Sequence, residues 1–258
     1  MRLFESIPDM SLSRERSRGA RQHPLDIYSL ENQEKAHDVR EYDIAGDNYY
    51  HREDNPPYMH RAPNSIPELY VREGVLSRLI KVNERLRRFG CELYLFDAYR
   101  PVLVQNYFHD VWVPQYLRDV HADWDEEKIK AETGKYWAKG APSADAVDPL
   151  SPPPHSTGGV VDLTFRYIAR NELAFMGSAF DEVSSVSFAD YFEREADIRL
   201  LTAAEEEART NRRLLYSAMT EEGFTVNPNE WWHFGVGDQL SAILSDAPHA
   251  VYSLLKVE

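Results

Sequence analysis

The chain has 258 residues, 43% of them hydrophobic, and its 29 basic against 43 acidic side chains give a formal charge of −14. That is enough apolar material for one substantial core without requiring a second domain, and the acidic balance works against nucleic-acid phosphates or anionic lipid, the one basic cluster being residues 14–21. Cys91 is the single cysteine, residues 1–10 lack the apolar centre of a signal peptide, and no run reaches membrane-spanning length, so the expectation is a cytoplasmic protein with neither nucleic-acid nor membrane partners.

In chain order, residues 1–40 are polar, contain Ser-Arg-Glu-Arg-Ser-Arg and read as an amino-terminal arm before one domain spanning 41–258. Residues 55–67 form a proline-rich loop. Ser65-Ile66-Pro67-Glu68 then opens a helix in which Leu69, Leu76, Leu79, Ile80, Val82 and Leu86 recur near helical spacing, with Gly90 as its stop. Residues 91–96 suit a buried strand, and Asp97-Ala98-Tyr99-Arg100-Pro101 turns out of it. Helices are predicted over 102–116 and 126–139, the second behind Asp123 and Asp125, which favour a helix amino terminus. A loop with five prolines fills 141–154. Then follow a strand over 160–165, a helix over 203–222 closed by Gly223, and a last aromatic strand over 231–236.

Two short stretches carry the chemistry. His155 and Asp162 lie seven apart across a Gly-Gly turn, and Glu230 and His233 three apart in Asn-Glu-Trp-Trp-His. Two imidazoles and a carboxylate leave one position of a divalent cation open, the catalytic pattern for zinc, with Glu230 as a candidate proton carrier. Three prolines before His155 exclude a helix there. In the following strand, alternation sends Val161, Leu163 and Phe165 to one face and Asp162 and Thr164 to the other. Residues three apart face opposite sides of a strand, so Glu230 belongs in the preceding Asn227-Pro228-Asn229 turn. From spacing alone, histidines so placed are more often packed and hydrogen-bonded than metal-bound, Asp162 fits a carboxylate bonded to backbone and Glu230 one at the surface, while Trp231 and Trp232 read as core.

The ordered set resembles the D-alanyl-D-alanine dipeptidases within the zinc D,D-peptidases, peptidase family M15. Pro153-Pro154-His155-Ser156-Thr157-Gly158-Gly159-Val160-Val161-Asp162 is similar to the family's Ser-x-His-x-x-Gly-x-Ala-x-Asp. Glu230-Trp231-Trp232-His233 matches Glu-x-Trp-His, and Asp97-Ala98-Tyr99-Arg100-Pro101 matches Asp-x-Tyr-Arg-Pro. Met176-Gly177-Ser178-Ala179-Phe180-Asp181 looks like the dipeptidase branch, and Asn211-Arg212-Arg213-Leu214 like a further family segment.

This resemblance implies a mixed α+β domain with a central, largely antiparallel sheet and a metal site on its exposed face. It implies one zinc held by His155, Asp162 and His233, Glu230 as general base, Arg100 at the reacting carbonyl, and Asp181 where the substrate's ammonium group binds. Zinc-dependent hydrolysis of D-alanyl-D-alanine or a related D,D-dipeptide is the activity expected. Pro153 for the family serine and Val160 for its alanine alter the substrate side of the pocket. Other readings are a D,D-carboxypeptidase acting on peptidoglycan stems, which normally needs export, and a metal-free binding protein, which would tolerate loss of Glu230.

Overall fold

The computed structural model describes residues 4–137 and 139–257. Its strands are β1 (Ala36–Asp38), β2 (Ala45–Gly46), β3 (Tyr70–Arg72), β4 (Cys91–Asp97), β5 (Val160–Tyr167), β6 (Glu172–Leu173), β7 (Thr225–Val226) and β8 (His233–Gly235). Its α-helices are α1 (Ser11–Ser17), α2 (Glu73–Arg87), α3 (Val102–Tyr107), α4 (Val113–Val120), α5 (Glu126–Tyr136), α6 (Tyr191–Ile198), α7 (Ala203–Thr220) and α8 (Gln239–Leu244). The main sheet runs β2-β4-β5-β8-β7, with β6 also on β5, and β1 pairs with β3 apart from it. Only β2 and β4 pair in parallel; the other main-sheet pairs are antiparallel. The architecture is mixed α+β, as expected.

β5 lies at the centre. Val160 to Phe165 are all buried, not alternately so, because both faces of this strand are covered. Beside it, α2 buries Val75, Leu76, Leu79, Val82 and Leu86 along one stripe. The helix begins eight residues later than Ser65 suggests: Leu69 and Val71 are core residues of an extended segment, and Arg72 holds extended backbone with ψ of 157°. Arg72 is 1% exposed and spends its guanidinium on the carbonyls of Thr157, Asn32 and Ser253.

The helix predicted over 102–116 is instead α3 and α4 joined by a π-helical turn, Phe108–Trp112. Pro114, with no N–H to donate to residue 110, accounts for the loosened ladder. Asp125 caps α5 through Lys128 N at 2.8 Å; α5 ends at Tyr136, and Ala138 of the predicted helix lies outside the described residues. Thr202 and Glu205 form a capping box at the start of α7, which ends two residues before the predicted limit. β8 is shorter than the predicted aromatic strand, Trp231 and Trp232 packing in the core just ahead of it.

The described part of the polar first forty residues lies against the body. Ile7 and Met10 are buried, Leu25 bridges Ala250, and Arg14 pairs with the fully buried Asp190 at 2.8 Å. Among the described residues no helix is long and apolar enough to cross a membrane.

Candidate metal centre

Register builds the site. β5 pairs Asp162 with Asp97 of β4 on one side and with His233 of β8 on the other. Directly opposed residues point to the same face, so Asp97, Asp162 and His233 form a row across three strands. An irregularity between Leu95 and Asp97 brings Asp97 into that row. His155 arrives from a 3₁₀ turn, Pro154–Thr157, ended by Gly158 at φ 69°. That left-handed conformation favours glycine, and a Cβ there would also push the Leu255 Cδ2 methyl, 2.5 Å away, out of its place.

Among the described residues, His155, Asp162 and His233 each offer a donor atom within 4.8 Å of the others. His155 Nδ1 donates to the Ala98 carbonyl at 2.9 Å, leaving Nε2 to face His233 Nδ1 and Asp162 Oδ2, both at 3.3 Å. Asp162 Oδ1 sits 3.2 Å from His233 Nδ1 without hydrogen-bond alignment, and it is a buried oxygen without a hydrogen-bond partner. A buried, unsatisfied carboxylate oxygen beside two imidazole nitrogens is the environment a cation satisfies. The three residues are 6%, 2% and 7% exposed.

Glu230 lies in the predicted turn. Its amide donates to Asn227 O at 3.1 Å, its Oε2 accepts from Asn227 Nδ2 at 2.7 Å and stands 3.2 Å from His233 Nδ1. Its side chain, 32% exposed, is the open edge of the cluster.

Arg100 is 6% exposed and uses every branch of its guanidinium. Nε donates to Asp97 at 2.8 Å, Nη1 to Gln105 at 3.0 Å, and Nη2 to Tyr50 at 3.1 Å and Asp162 at 3.2 Å. The ion pair with Asp97 and the approach to the metal-type cluster therefore coexist. Tyr50 and Tyr58 each donate to Asp181 Oδ2 at 2.7 Å. One chain of contacts, Asp162–Arg100–Tyr50–Asp181, thus ties Arg100 and Asp181 to the cluster in which His155 and His233 flank Asp162 and Glu230 flanks His233. Asp97, Gln105, Tyr50, Tyr58 and Asn227 had no assigned role in the sequence. Asp97 stood inside a quoted motif, whereas the tyrosines carry no informative spacing.

The electrostatics favour a cation. Burial works against the charged imidazole of His233, but the carboxylates of Asp162 and Glu230 beside its Nδ1 outweigh it and raise its pKa to about 10. Burial likewise opposes ionisation of Asp162, yet the two imidazoles hold its carboxyl far below the usual range. Asp181 is half-buried as a residue, but its carboxylate is enclosed beneath two tyrosines, and burial, reinforced by the charge of Asp162, pushes its pKa up to about 7.

The D-ala-D-ala dipeptidase profile of peptidase family M15 matches residues 69–253. A D-alanyl-D-alanine dipeptidase of Synechocystis sp. is 34% identical over 181 residues, covering 67% of this chain and 71% of that one. A D-alanyl-D-alanine dipeptidase of Streptomyces coelicolor is 27% identical, covering 65% and 73%, and one of Enterococcus faecium is 29% identical, covering 62% and 70%. With that match spanning most of the chain and the conjoined His, Asp and Glu geometry inside it, this chain belongs to the D-Ala-D-Ala dipeptidase family of M15 peptidases.

Proposed function

We propose that this chain is a cytoplasmic, zinc-dependent dipeptidase that hydrolyses D-alanyl-D-alanine or a closely related D,D-dipeptide to free amino acids. The observation that carries the reading is the row of Asp162 and His233 joined by His155, with Glu230 3.2 Å from the same histidine nitrogen. His155 Nε2, His233 Nδ1 and the Asp162 carboxylate would hold the zinc ion. When bound, such an ion supplies Lewis-acid polarisation of a carbonyl and a water of lowered pKa. Glu230 accepts the proton of the attacking water and returns it to the leaving amine, a contribution of about 10²- to 10⁴-fold. Asn227 orients that carboxylate. Arg100 stabilises the negative charge that develops on the carbonyl oxygen, and its anchoring by Asp97, Gln105 and Tyr50 fixes its direction in advance. Asp181, set by Tyr50 and Tyr58, receives the substrate's free ammonium group.

Metal analysis of the purified protein, joined to a screen of D- and L-dipeptides, tests the reading. About one zinc per chain and cleavage of D-Ala-D-Ala but not of N-acetyl-D-Ala-D-Ala or a stem pentapeptide are expected. Efficient cleavage of the blocked or longer substrates would replace the dipeptidase reading with a carboxypeptidase one, and tight binding without cleavage would replace it with a binding role.

A further inference from the structure

The turn that carries Glu230 has few external ties. Inside it, Asn227 N donates to His233 O at 2.8 Å and Asn229 N to Asn227 Oδ1 at 3.2 Å. Pro228 has no N–H, so its carbonyl is the outward anchor of the turn. That carbonyl accepts from Ala189 N at 3.3 Å and from Arg14 Nη1 at 3.4 Å. Trp231, next to Glu230, donates its amide to Ser187 O at 2.9 Å. The segment 187–190 therefore runs alongside 228–231 and acts as its outer wall.

Arg14 locks that wall from the other side. Its guanidinium grips Asp190 with Nη1 at 2.8 Å and Nη2 at 3.0 Å, Met10 N adds a third donor at 2.9 Å, and the guanidinium lies 4.9 Å over the Phe188 ring. Asp190 is wholly buried, so its carboxylate stays in place only while those donors remain. Met10 and Arg14 both precede residues 69–253, the span that matches the family.

Resting on the functional reading above, we propose that Arg14 is a positioning residue for Glu230, acting from the amino-terminal segment through Asp190 and the Pro228 carbonyl. A displaced general base impairs proton transfer more than substrate binding, because the carboxylate handles a proton and anchors no part of the substrate.

The experiment uses the full chain loaded with zinc and compares the wild type with Arg14→Lys and with the double variant Arg14→Ala/Asp190→Asn, which removes both charges of the pair together. Turnover of D-Ala-D-Ala, zinc content and amide hydrogen exchange across residues 227–233 are read in parallel. The double variant should keep its zinc and lose about tenfold or more in kcat with KM within about twofold, as expected of misplaced catalytic groups. Exchange in 227–233 should quicken while that of β5 stays unchanged. Arg14→Lys, which retains the charge without the planar fork, should recover part of both effects. Unaltered kcat and unaltered exchange in a zinc-loaded double variant would overturn the proposal, as would a change confined to KM. A wild type that binds zinc and cleaves none of the D,D-dipeptides defeats the functional reading instead, and exchange in 227–233 then decides by itself whether Arg14 braces the turn.

Discussion

His155 presents one nitrogen to the cluster because the Ala98 carbonyl occupies the other, and Asp162 keeps a buried oxygen without a hydrogen-bond partner. These two residues should therefore be indispensable to metal binding: His155→Ala and Asp162→Ala should each abolish retention of zinc on gel filtration, and full zinc content in either would remove that residue from the ligand set. Glu230 differs, since it meets Asn227 and one imidazole at an open edge. Glu230→Ala should retain zinc and native circular dichroism while kcat falls by about 10²- to 10⁴-fold. Asp181 adds a pH dependence. Its carboxyl, with a pKa of about 7, is protonated and neutral below that pH and cannot pair with an ammonium group. KM should accordingly fall as pH rises from about 6 to about 7.5, before the substrate's own amine begins to lose its proton near 8. Asp181→Asn should flatten that limb, and an identical KM profile in the variant would remove Asp181 from the ammonium site.

At the scale of elements, the decisive event is that β4, β5 and β8 are adjacent in a register that puts Asp97, Asp162 and His233 abreast. A slip of one residue would send any of them to the opposite face. The His155 turn is pinned separately, by Gly158 in the left-handed region against Leu255. Gly158→Ala should destabilise the fold by about 1–2 kcal/mol from backbone conformation alone, read by urea unfolding, and should weaken zinc affinity if the turn relaxes out of the left-handed region that now aims His155. Unchanged zinc affinity would show that the turn does not govern where His155 points. The helix predicted from Ser65 illustrates how local pattern misleads. Leu69 falls in phase with the apolar stripe of α2, yet it is buried from an extended segment leading into β3, whose partner β1 lies more than thirty residues earlier.

For the whole molecule, a cation held between the 155–162 stretch and His233 would bind the folded chain in preference to the unfolded one. Zinc at about 100 times its dissociation constant should add about 2.7 kcal/mol of stability, seen as a rise in Tm that a chelator reverses. A Tm indifferent to both zinc and chelator would argue against a folded-state metal site. The amino-terminal segment contributes on the same scale. Buried Ile7 and Met10, together with the Arg14–Asp190 pair, join it to the body across 176 residues of sequence.

The sequence by itself determined the chemical inventory: two histidines and an aspartate in order, a glutamate in an Asn-Pro-Asn turn, a strand-end arginine and the periodic stripe of α2. These are local properties of residue type and spacing, and they survive without knowledge of partners. Only the tertiary structure decided that Arg100 serves Asp97 and Asp162 at once, that Tyr50 and Tyr58 enclose Asp181, and that Arg14 reaches the turn of Glu230. Each of these joins residues through strand register or side-chain packing, and nothing in the spacing along a chain records which buried charge will meet which partner once the core has closed.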